Sequence, residues 1–65
     1  MIKTDDLKGI IVKNRKTQAD VANMLNITPK TFYAKMKKGV FGSDEIEIMI
    51  KELNIDDPMK IFFAD

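Results

Sequence analysis

The stretch LNITPKTF, Leu25 to Phe32, ends one helical pattern and opens another within four residues. Upstream, TQADVANML places Val21, Ala22 and Leu25 on one helical face, flanked by Ala19 and Met24, with Thr17 as N-cap. Asn26 follows, at the position where a helix commonly ends in a left-handed residue. Downstream, Thr28 can cap a new helix, and Pro29 suits its first position because the missing N–H would be unpaired there anyway. Phe32 and Met36, four residues apart, then face inward, while Lys30, Tyr33, Ala34 and Lys37 lie toward the other side. Gly39 terminates the run, and Ile27 is placed to plug the corner.

The same signals recur on both sides. In TDDLKGIIVKN, Thr4 is the expected N-cap and Asp5 and Asp6 complement the helix dipole. Leu7, Ile10, Ile11 and Asn14 share one face, and Asn14-Arg15 is the stop, with Asn14 taking the left-handed turn. After the loop VFG, Ser43 is the expected cap of DEIEIMIKEL, lined by Ile46, Met49, Ile50 and Leu53 and widened by Ile48. Asn54 stops that helix, Ile55 plugs a second corner, and Asp57-Pro58 opens a short helix, MKIFF. No segment alternates with period two, so the expected fold is all-α: five short helices in one domain over residues 1–65.

With 65 residues, no Cys and no His, neither a disulfide framework nor a familiar zinc site can stabilise the chain. General acid–base or nucleophilic chemistry would fall to carboxylates, lysines or one tyrosine, and Gly39-Val40-Phe41-Gly42 lacks the spacing and lysine of a phosphate loop. No enzyme, metal or cofactor is expected. Asp56-Asp57 is explained by capping, and the DEIE carboxylates as partners of the helix dipole. Nothing approaches membrane-spanning length or a signal peptide, which reads as a soluble cytoplasmic protein starting at its own Met1.

Net charge is only +1, but it is polarised. Lys8 to Lys38 carries eight basic residues against Asp20 alone, whereas Gly39 to Asp65 carries two lysines against seven acids. That pattern suits a basic face for a polyanion and an acidic back.

Two helices joined by a turn as short as Asn26-Ile27-Thr28, with a small Ala22 midway along the first, can cross steeply as a helix-turn-helix. The outward side of the second helix is then able to enter a DNA major groove. The run QADVANMLNITPKTFYAKM resembles the helix-turn-helix of the phage Cro and lambda-type repressor family, an XRE-like domain. That family has Gln at the first position, an apolar residue and Ala at the fourth and fifth, and apolar residues at the eighth and fifteenth. This chain supplies Gln18, Val21, Ala22, Leu25 and Phe32. Leu7 and Ile10 resemble the family's first helix, and SDEIEIMIKELNI its fourth. Asn26 replaces the commonest Gly, Lys35 replaces an apolar residue, and Arg15-Lys16 replace a Gly-apolar pair.

The resemblance implies a sequence-specific regulator of transcription, phage or prophage derived, acting on operators in the host cytoplasm or nucleoid. By it, Gln18 and the N-terminal amides of the second helix would grip a phosphate. Thr28, Pro29, Lys30, Tyr33, Ala34 and Lys37 would face the groove, and Lys13, Arg15, Lys16, Lys35 and Lys38 would contact the DNA backbone. A homodimer would be expected, with Met59 to Phe63 as its apolar surface; the same residues equally suit closure of the core. Judged singly, each lysine is an ordinary solvated side chain; the conjunction of a basic segment with the outward helix carries the reading. The competing class is a protein-interaction module of the same fold, such as an antirepressor partner or an antitoxin. RNA binding lacks the interleaved aromatic platform it would need.

Overall fold

The computed structural model describes residues 2–63; Asp65, counted above in the acidic half, lies outside them. Five helices follow in order: α1 Thr4–Lys13, α2 Gln18–Met24, α3 Pro29–Lys38, α4 Ser43–Glu52 and α5 Pro58–Phe62. No strand occurs among the described residues, so the fold is all-α, as the periodicity predicts. No helix among them is long and apolar enough to cross a membrane.

Helix ends are set by a device used four times. Arg15, Asn26, Gly39 and Asn54 take φ values of 60, 60, 71 and 50°. After each, the next N–H reaches back five residues: Lys16 to the Ile11 carbonyl, Ile27 to Ala22, Val40 to Lys35 and Ile55 to Ile50. This satisfies carbonyls that the end of a helix otherwise leaves unpaired. The tripeptide Leu-Asn-Ile therefore turns the chain identically at residues 25–27 and 53–55, the Ile side chain landing on the core each time.

At the starts, Thr17 Oγ1 accepts the Asp20 N–H at 3.0 Å while the Asp20 carboxylate accepts the Thr17 N–H at 2.8 Å, a reciprocal capping box. Thr28 Oγ1 accepts the Thr31 N–H at 3.2 Å, with Pro29 at the first helical position.

Three local expectations are corrected. The N-cap of α1 is Lys3 rather than Thr4, because the Lys3 N–H is held by the Ile61 carbonyl at 2.8 Å and its own carbonyl accepts from Leu7. Gly42 rather than Ser43 caps α4, the Gly42 N–H donating to Glu45 Oε1 at 2.8 Å. Arg15 rather than Asn14 takes the left-handed turn after α1. Asn14 instead donates its side-chain amide to the carbonyls of Ile10 (2.8 Å) and Leu53 (3.0 Å), pinning the end of α1 to the end of α4.

The core takes one stripe from each helix. Phe32, Leu7, Ile11, Met49, Leu53 and Val21 are essentially inaccessible to solvent, each contributing about 1.5–3 kcal/mol relative to exposure. Phe41, in the loop between α3 and α4, is also buried, its ring centroid 5.5 Å from that of Phe32. Ile48, expected to widen the α4 stripe, sits at its exposed edge. In α5, Ile61 and Phe62 close the core whereas Met59 and Phe63 stay exposed. α2 packs chiefly on α3, and α1 rests on both α2 and α5. The radius of gyration is 10.5 Å.

Candidate nucleic-acid interface

Packing fixes which side of α3 is left to solvent. Phe32 and Met36 anchor it to the core, which turns Thr28, Pro29, Lys30, Thr31, Tyr33, Ala34, Lys37 and Lys38 outward, all exposed. Lys30, Ala34 and Lys37 follow the i, i+4, i+7 spacing of one helical face. Tyr33 is half exposed, its ring held edge-on to Phe32 with centroids 6.4 Å apart. No carboxylate lies within α3, so its outward surface carries cations, hydroxyls and two small apolar side chains, Pro29 and Ala34.

Lys35 stands apart from that surface. Its ammonium is bound bidentately by Glu45, at 2.7 and 2.8 Å, with a third of the lysine side chain and a ninth of the glutamate exposed. The residue expected on the DNA backbone is thus committed to α4. Glu45 was legible in sequence only as a helix-dipole partner, although its position three residues after Gly42 is the spacing of a capping box.

Gln18 is half-buried at the start of α2. It shares a cleft of ≈ 380 Å³ with Thr4 and Lys8 of α1 and with Tyr33, Met36 and Lys37 of α3. Lys8, counted only in the basic segment, and Thr4, expected only as an N-cap, were not among the expected DNA contacts, although their four-residue spacing beside the Leu7–Ile11 stripe was the signal for a shared face.

Lys13 is not brought to this side. It lines a separate cleft of ≈ 460 Å³ with Asn54, Asp56, Asp57 and Lys60. Arg15 and Lys16 are exposed in the turn entering α2. There the Asp20 carboxylate is held below its ordinary pKa of 3.8, first by the Thr17 N–H, then by the Thr17 hydroxyl, with help from the charge of Lys16. Asp20 is therefore ionised at neutral pH and itself complements the N-terminal dipole of the seven-residue α2. That competes with the expected phosphate grip by the α2 amides.

Among the described residues, no group of three or more His, Cys, Asp or Glu is gathered closely enough to hold a metal ion. No protein-family model matches the chain, and comparison with curated proteins and with solved structures gives no match either.

Proposed function

We propose that this chain is a sequence-specific double-stranded DNA-binding regulator of transcription that lays α3 in the major groove. The observation that carries the reading is the outward face of α3: Thr28, Lys30, Tyr33, Ala34 and Lys37 exposed together, without a carboxylate, on a helix locked to the core by Phe32 and Met36. A helix about 10–12 Å across fits a major groove about 12 Å wide. Lys30 would donate to guanine O6 or N7, and Ala34 or the Thr28 methyl would meet a thymine methyl. Tyr33, Lys37 and Lys38 would contact sugar and phosphate, which sets position without reading sequence. Pairing of two copies through the exposed Met59 and Phe63 would match the two-fold operators expected of Cro- and repressor-like proteins.

An amide-shift titration with generic duplex DNA at low salt tests this. Shifts concentrated at Gln18 and from Thr28 to Lys38, reversed by added salt, are the expected result. Shifts confined to α4 and α5 would replace the reading with that of a protein-interaction module, which the exposed Ile48, Met59 and Phe63 on the acidic half favour. On a cognate site, Lys30→Ala should cost roughly 1–3 kcal/mol and relax one base position. An equal loss on every sequence would reduce Lys30 to a phosphate contact.

A further inference from the structure

We infer that Lys8, together with Lys37, Gln18 and Tyr33, holds one phosphodiester of duplex DNA in the cleft between α1 and α3, and that Lys13 takes no part. The inference rests on the DNA-binding reading above.

The cleft draws on three helices: Thr4 and Lys8 from α1, Gln18 from α2, and Tyr33, Met36 and Lys37 from α3. The lining residues carry between them two ammonium groups, two hydroxyls and one amide, and none carries a carboxylate. Among the described residues the sole ion pair is Lys35–Glu45, so neither Lys8 nor Lys37 has an acidic partner. Two cationic side chains bordering one recess, without a carboxylate among its lining residues, favour an anion seated between them.

Position selects the anion. Tyr33 and Lys37 border the recess from α3, one turn apart; Lys37 belongs to the outward face it shares with Lys30 and Ala34, and Tyr33 lies beside that face. With that face in a major groove, the recess lies against the groove wall, where the sugar-phosphate backbone runs. A phosphodiester presents a single charge on two unesterified oxygens, enough to accept from two ammoniums and a hydroxyl. Contact from α1 and α3 at once would also fix how deeply α3 sits.

Lys13 is excluded by helix geometry. It follows Lys8 by five residues, about 140° around the axis at 3.6 residues per turn. The cleft it lines contains the carboxylates of Asp56 and Asp57, which repel a phosphate.

The test compares the wild type with Lys8→Met, Lys8→Arg and Lys13→Met on duplex DNA across a salt series. The inference expects Lys8→Met to lower the slope of log affinity against log salt by about one, equally on every sequence. It expects Lys8→Arg to restore the slope and Lys13→Met to leave it unchanged. An unmoved slope in Lys8→Met, or the loss appearing in Lys13→Met instead, would overturn the Lys8 assignment while DNA binding stands. Wild-type binding without salt dependence would overturn both. A parallel titration with inorganic phosphate, at matched ionic strength, separates the two sources of phosphate: shifts at Lys8 and Tyr33 as large as those with duplex would mark a free-anion site and also refute the assignment.

Discussion

Lys35 Nζ lies 2.7 Å from Glu45 Oε2 and 2.8 Å from Oε1, and the same carboxylate accepts the Gly42 N–H at 2.8 Å. One buried carboxylate thus fastens the last turn of α3, the loop and the first turn of α4. The Phe32–Phe41 contact braces the same junction from the apolar side. The pair also withdraws one cation from the basic face of α3.

Lys35→Met should therefore destabilise the fold by roughly 1–3 kcal/mol, between the values of exposed and fully buried pairs, and leave the salt slope of DNA binding unchanged. Glu45→Gln keeps an acceptor for Gly42 but releases Lys35 toward the phosphates, so the slope should steepen by about one. Urea denaturation and a salt series read the two effects separately. A shallower slope in Lys35→Met would put Lys35 back on the DNA.

Arg15 occupies the left-handed region, where a side chain costs about 1–2 kcal/mol. Arg15→Gly removes that strain but adds unfolded-state entropy, so stability should rise by roughly 0.5–1 kcal/mol. Affinity for duplex DNA should fall at the same time, because an exposed cation is lost. A protein more stable and unchanged in binding would remove Arg15 from the interface.

Asp20 gives the fold an acid-sensitive joint. Its native pKa is depressed below 3.8, so its stabilising contribution is complete above that value and is lost as pH falls through the lowered native value. Asp20→Asn should flatten this part of the acid limb. Thermal midpoints followed from about pH 7 to about pH 2 for both proteins provide the check; identical acid limbs would show that the charge of Asp20 contributes nothing.

Asn14→Ala strips a donor from the carbonyls of Ile10 and Leu53. The expected cost is about 1–3 kcal/mol, since the partly buried Leu53 carbonyl loses its partner. Amide exchange at Asn54 and Ile55 should quicken with it. A mutant as stable as the parent would mean that water replaces the amide without penalty.

How much of this was legible depends on the range of each interaction. Thr17, Thr28, Asn26, Gly39 and Asn54 act on backbone groups within about six residues, and each helix boundary they govern was readable directly. The errors at Thr4 and Ser43 arise where distant groups intervene: Ile61 holds the Lys3 N–H, and Lys35 binds the Glu45 that draws in Gly42. Phe41 carried no periodicity, and only its contact with Phe32 makes it core.

The sequence by itself determined five helices, the stops at Asn26, Gly39 and Asn54, and the side of α3 that Phe32 and Met36 leave exposed, because 3.6-residue periodicity and capping are local. Tertiary structure decided which cations share a surface. Lys8 joins Gln18, Tyr33 and Lys37, Lys13 turns toward Asp56 and Asp57, and Lys35 is taken by Glu45. Charge acts through space, and the distances between helices that set it come from packing the core.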